Sequence, residues 1–283
     1  METEKSTEAY VNYAHSPDNA WVKTERRIFD YLFSRFYKDR FNYLNNESKI
    51  NIPKIKTAFG QTLPENFSVL DLGTATGRVA TQMIEYGVRP RNIVAVDIDL
   101  EKLDDFHFPI DVQKIHGDVV NISELLSNKF RDSRVNFELI TANMLFHLLT
   151  YDDYVSCLSQ VRNHVREYRS QLMMVVPHPL REELESIREY HSQKSTTETA
   201  PWGEKINYQI KTIQDYVRGL REAGFTTTFI GTAGVGIGED SRLFLHDEAV
   251  WSELERYRKT GHHTKLPHCF RLWLVATPSG DLF

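Results

Sequence analysis

The chain has 283 residues, 41% hydrophobic and 26% charged, an ordinary globular balance that excludes a disordered or collagen-like polypeptide. Its 34 basic and 39 acidic residues give a formal net charge of -5, so it lacks the overall basic character with which proteins grip nucleic-acid backbones. Two cysteines, Cys157 and Cys269, make no disulfide framework and suit a reducing compartment. The polar, acidic start, Met1 to Glu8, is unlike a targeting signal. The longest apolar runs, Leu172–Val176 and Leu272–Ala276, fall far short of the ~20 residues of a membrane helix, so a soluble, cytoplasmic protein is expected.

In chain order, residues 16–37 read as a helix. Ser16 suits its cap, Pro17 its first position, and Trp21, Ile28, Leu32 and Phe36 recur near helical spacing. Residues 40–65 carry Asn45, Asn46, Pro53, Gly60 and Pro64 and read as a connector, so 1–65 form an N-terminal helical cap. From Phe67 short apolar strands alternate with helices: Phe67–Leu72, Asn92–Val96, Val112–Ile115, Phe137–Thr141 and Gln171–Val176. The clearest helix between them runs from Thr150 to Tyr168, with a Thr150/Asp153 capping pair and a stripe of Tyr154, Leu158, Val161 and Val165. A second capped helix, Thr212–Ala223, ends at Gly224, and two last strands follow, Thr226–Gly231 and Phe270–Thr277. The long interval at about 232–268 reads as an insertion with its own helical piece around Asp247–Arg258. This alternation predicts an α/β domain over 66–283, a parallel sheet covered on both faces.

The informative segment is Val69-Leu70-Asp71-Leu72-Gly73-Thr74-Ala75-Thr76-Gly77. An apolar strand ends in an acidic residue, turns through glycines and enters a helix with Ala80, Met83 and Ile84 on its apolar face. Glycines permit a tight turn and close backbone approach to a ligand, and the helix N-terminus offers free N–H groups. Asp97 ends the next apolar strand, where a carboxylate can accept both hydroxyls of a ribose. Gly117-Asp118-Val119 ends the third.

This order of features resembles class I S-adenosylmethionine-dependent methyltransferases, over about residues 67–280. The Gly-x-Gly-x-x-Gly spacing of dinucleotide dehydrogenases is absent, and Ala75 stands where many members of the family have glycine. The resemblance implies a Rossmann-like, seven-stranded sheet in the order 3-2-1-4-5-7-6, with strand seven antiparallel. It implies S-adenosylmethionine as cofactor. Gly73 and Gly77 would pass under its methionine part, with Thr74 and Ala75 in the same loop, and Asp71 would meet its ammonium group directly or through water. Asp97 would hold the ribose and Ile98 the adenine face. Asp118 would accept from the adenine amino group, Val119 would donate its backbone N–H to the ring, and Asn143 and Met144 would close the far side. Asp118 also suits a helix cap.

Two nucleic-acid readings lack their motifs. Strand four ends Thr141-Ala142-Asn143-Met144 rather than in an Asn/Asp-Pro-Pro-aromatic box, and neither cysteine follows a proline. The loop Asn143–Leu149 resembles the small-molecule branch instead, so the expected partner is a small acceptor, neither nucleic acid nor membrane. His147 is a candidate general base or a loop-orienting residue. His178, between Pro177 and Pro179, is a second histidine on the same sheet edge. Tyr10, Tyr13, Trp21 and Phe146 are candidates for a lid and an aromatic wall, since ring faces attract cations. The N-terminal arm is also suited to packing on a neighbouring subunit. No metal is expected: His262, His263, His268 and Cys269 match no common site, and Asp152 and Asp153 suit a helix's first turn. Gly231–Gly238 looks like a nucleotide loop but lacks a following helix with an apolar stripe. The rival reading is a non-catalytic cofactor-binding subunit on the same fold; a protein or RNA methyltransferase is a further alternative.

Overall fold

Strands that are apolar along their whole length must be covered on both faces, and that requirement organises this chain. The computed structural model describes residues 62–104, 108–131, 135–166, 170–179, 195–199, 203–234 and 269–279, with 54–56, 243–244, Asn12 and the helical positions 25–26, 28–30 and 32–33 besides. The central strands are β1 (Val69–Leu72), β2 (Ile93–Asp97), β3 (Gln113–His116), β4 (Leu139–Asn143), β5 (Gln171–Pro177), β6 (Phe225–Gly234) and β7 (Cys269–Pro278). Every residue of β1, β2 and β5 is buried. They pair in the order β3-β2-β1-β4-β5-β7-β6. The first five are mutually parallel, and β7 runs antiparallel to both β5 and β6. The expected seven-stranded order is therefore present, and a two-residue strand, Leu243–Phe244, extends it beyond β6.

Alternate residues of each strand feed two cores. Val69, Ile93, Met173 and Trp273 pack with Ala80 and Met83 of α1 (Arg78–Glu85) and with Ile28, Phe29, Leu32 and Phe33 of the N-terminal helix. Leu70, Val94, Ile140 and Leu274 pack on the other face with Tyr154, Leu158 and Val161 of α4 (Tyr151–Arg162) and Tyr216 and Leu220 of α5 (Ile213–Glu222). The short α2 (Leu100–Leu103) follows β2, and α3 (Ile122–Phe130) follows β3. The N-terminal helix is docked on α1: Phe33 stacks on Tyr86 at 4.5 Å, and the Tyr86 hydroxyl donates to Asp30. Among the described residues, no helix is long and apolar enough to cross a membrane.

Several sequence expectations shift. The helix expected over 150–168 stops at Arg162. Its tail is drawn away because Val165 bridges Phe137, whose N–H donates to the His164 carbonyl at 2.9 Å. Val165 stays buried, which is why it completes the apolar stripe. Strand β4 begins and ends two residues later than expected and so carries Asn143. The connector contains a small antiparallel pair, 54–56 with 62–64. A hairpin, Ser195–Thr199 with Lys205–Gln209, lies between β5 and α5, where no strand was expected. The glycine-rich stretch from Gly231 is the end of β6 as far as Gly234; a Cβ at Gly231 would fall 1.4 Å from the Trp273 indole nitrogen, so this glycine makes room for a core tryptophan. The segment around Asp247–Arg258 and positions 235–238 lie outside the described residues.

Candidate functional site

In an open parallel sheet the carboxyl ends of the strands and the loops after them form the ligand edge. Here that edge gathers Asp71 from β1, Asp97 from β2, Asn143 from β4, and the loop 73–77 that leads into α1. The loop is strapped to β2: the N–H groups of Gly73 and Thr74 both donate to the Val96 carbonyl, at 2.9 and 3.1 Å. The Ala75 N–H donates to Asp97 Oδ2 at 2.7 Å, and the Asp99 N–H to Asp97 Oδ1 at 2.9 Å. Burial pushes the Asp97 carboxyl up, and the two backbone donors pull it back.

The glycines have a different local reason from the one the motif suggests. Gly73 and Gly77 sit at φ 65° and 78°, a region that favours glycine. A Cβ on Gly73 would come within 2.9 Å of Leu145, and one on Gly77 within 2.9 Å of the Phe108 ring. Packing of the loop under two long-range side chains therefore excludes larger residues. Ala75 also adopts a left-handed conformation, φ 49°, as does Met144 after β4, φ 57°. Both strained positions lie on the ligand edge.

Asp71 is 1% exposed. Its two oxygens accept from the Thr74 hydroxyl at 2.6 Å and the Thr141 hydroxyl at 2.7 Å. Burial raises its carboxyl to about 6, against the lowering effect of those hydroxyls. It is thus a sequestered charge beneath the loop. Ile98 is 66% exposed immediately beyond Asp97, an apolar side chain presented to solvent at the ligand edge. Asp118 caps the 3-10 turn Val119–Asn121, its Oδ1 accepting from the Val120 N–H at 3.1 Å, and Val119 is buried.

Sequence reasoning missed a buried charge network at the same edge. Glu25, from the N-terminal helix, accepts at Oε1 from Arg271 Nε at 3.0 Å and Nη2 at 2.8 Å, and at Oε2 from Asn143 Nδ2 at 3.1 Å and from Arg78. Burial opposes the charge, but Arg78 and Arg271 outweigh it and hold the Glu25 carboxyl at about 2. Asn143 Oδ1 is buried without a hydrogen-bond partner among the described residues. Arg78 is the first residue of α1, next to Gly77, and was not singled out; Glu25 and Arg271 stand in no motif.

One strand over, beyond β4 and β5, lies a shallow cleft that is open to solvent. His147, Pro177, His178, Thr196, Tyr208 and Lys211 are among its lining residues. The His147 ring lies 4.8 Å from that of Tyr208, and the His147 carbonyl accepts from the Gln209 N–H at 2.7 Å, so the hairpin covers the loop after β4. Burial pushes the His178 imidazole down to about 4. Phe146 corrects an expectation: it is fully buried against Tyr154, rings 5.0 Å apart, and belongs to the core rather than to an aromatic wall. Asp153 is spent on the cap of α4, where its N–H donates to the Thr150 hydroxyl. Burial pushes the Cys157 thiol up to about 12, so it is no nucleophile at neutral pH. Tyr10, Tyr13, Trp21, His262, His263 and His268 lie outside the described residues.

No family model matches the chain, and no curated protein does. Solved structures do. The S-adenosylmethionine-dependent methyltransferase of Mesorhizobium loti is 14% identical and superposes with a TM-score of 0.50 over 76% of this chain and 93% of its own. A Listeria monocytogenes protein assigned to the same class is 14% identical, with a TM-score of 0.51 over 77% of this chain and 94% of that one. The chain has the class I methyltransferase fold.

Proposed function

We propose that this chain is an S-adenosylmethionine-dependent methyltransferase acting on a small-molecule acceptor. The observation that carries the reading is the clasp between the Ala75 N–H and Asp97, with the exposed Ile98 beside it. The residues fit the cofactor. Each Asp97 oxygen accepts one backbone N–H and keeps a second acceptor site for a ribose hydroxyl. Ile98 offers an apolar face to an adenine. Asn143 Oδ1 offers an acceptor to an ammonium group, beneath which Asp71 supplies negative charge. α1 has no side-chain N-cap, and the positive end of a helix favours a carboxylate.

When bound, S-adenosylmethionine would supply an electrophilic methyl group for transfer to the acceptor, whose proton the protein or solvent would take up. The chain's task is to hold the acceptor in line and exclude water. The cleft beyond β4 and β5 is the space for that acceptor. His147 is the group assigned to receive the proton, on its position after β4 and on the cleft wall. His178, held near 4, is neutral at pH 7 and a poor base, so it serves as a wall or a donor.

The test is incubation of the purified protein with methyl-labelled S-adenosylmethionine and a cell extract, followed by separation by size. The reading predicts label in the low-mass fraction. Label in RNA or protein would move the acceptor to that class, and cofactor binding without transfer would favour a non-catalytic subunit.

A further inference from the structure

Lys211, between the second hairpin strand and α5, is 4% exposed, yet it lines the cleft. Its ammonium donates to the Phe146 carbonyl at 3.0 Å and to the Leu149 carbonyl. An ammonium has three N–H donors, so one has no oxygen partner among the described residues, and the Tyr216 ring lies 6.0 Å from the nitrogen, at the outer limit of a cation–ring contact. Among the described residues, no carboxylate pairs with it. Asp215 and Asp153 favour its charge from a distance but hydrogen-bond elsewhere: Asp215 caps α5 through Thr212 and pairs with Arg218 at 3.1 Å, and Asp153 accepts from the Thr150 hydroxyl at 2.6 Å. The described cleft wall contains no Asp or Glu; it is built of His147, His178, Thr196, Tyr208, Tyr216 and apolar or amide neighbours. A buried cation with no carboxylate in direct contact is costly unless something completes it. Burial pushes the Lys211 ammonium down to about 8, which still leaves it mostly charged at neutral pH.

We propose that Lys211 is an anion anchor, and that the cleft takes a small acceptor bearing an oxyanion such as a carboxylate or phosphonate. The inference deepens the methyltransferase reading and rests on it for the identity of the ligand as an acceptor. Two Lys211 donors hold the loop after β4 in place, and the third meets the acid. Tyr208 and Thr196 then contact the remainder of the molecule, beside His147.

The experiment is calorimetric titration of the full chain with phenylphosphonate and benzoate, against benzyl alcohol as the neutral counterpart. The acids should bind at least tenfold more tightly than the alcohol. Lys211→Met should abolish that preference while leaving S-adenosylhomocysteine binding within about threefold. Because the methionine variant also loses two loop contacts, a crystal structure of the parent with phenylphosphonate provides the second reading, with an oxygen expected within hydrogen-bond distance of Lys211 Nζ. Equal affinity for acid and alcohol, a preference surviving in Lys211→Met, or a phosphonate seated away from Lys211 would each overturn the anchor. S-adenosylhomocysteine is titrated separately; its failure to bind would remove the methyltransferase reading, while the acid preference would still decide the anchor.

Discussion

Replacing Glu25 by Gln keeps the shape of the side chain and removes one charge from a buried network. In the folded protein the Glu25 carboxyl is held at about 2 against an ordinary 4.5, a gap equivalent to about 3 kcal/mol. A carboxyl depressed on folding contributes its full stability above about pH 4.5 and loses it as pH falls towards 2. The variant also turns an amide N–H towards a guanidinium or towards Asn143, and takes the Glu25 charge away from the side of Arg271, which is 8% exposed. Breaking a buried pair in this way typically costs 3–5 kcal/mol. Urea denaturation followed by circular dichroism should therefore show Glu25→Gln less stable than the parent by about 3 kcal/mol at pH 7, with the gap narrowing as pH falls through 4.5 and closing towards pH 2. A difference under about 1 kcal/mol at pH 7, or one independent of pH, would refute the account of this network.

Asp71→Asn has the opposite sign. A carboxyl raised to about 6 destabilises the fold above that pH and ceases to do so as pH falls towards 3.8, so the variant should be more stable than the parent by about 1–2 kcal/mol at pH 7 and should bind S-adenosylhomocysteine at least tenfold more weakly; denaturation and calorimetry on the same samples measure both. Ala75→Gly relieves a left-handed alanine and should stabilise the chain by about 1 kcal/mol in thermal or urea unfolding. His147→Asn should lower the rate of chemistry by about 10²–10⁴-fold and abolish the acidic limb of its pH profile; a rate within about threefold of the parent would make His147 a structural residue.

The parallel strands were legible because β1, β2 and β5 are short, apolar throughout and bounded by turn residues, as strands covered on both faces must be. The capping box of α5 was legible for a similar reason: Thr212 and Asp215 exchange hydrogen bonds within four residues of each other. What depended on distant partners was not. The polar strand Ser195–Thr199 shows no apolar alternation, and exists by pairing with 205–209. The end of α4 is set by Phe137, and the exclusion of side chains at Gly73 and Gly77 by Leu145 and Phe108. Phe146 follows Asn143 closely enough to suggest a site wall, but the turn after β4 delivers it into the core against Tyr154. Glu25 and Lys211 are single charged residues, and only the fold shows that each is buried beside the ligand edge.

The central claim is that the loop 73–77 and Asp97 hold S-adenosylmethionine. Calorimetric titration of S-adenosylmethionine into the parent and into Asp97→Ala tests it most directly, with NAD as a comparison ligand. The account predicts saturable binding of S-adenosylmethionine by the parent, no binding of NAD, and at least a tenfold loss of affinity in Asp97→Ala, the scale expected for removing hydrogen bonds to a charged group. Equal affinity in parent and variant, or binding of NAD in place of S-adenosylmethionine, would contradict it.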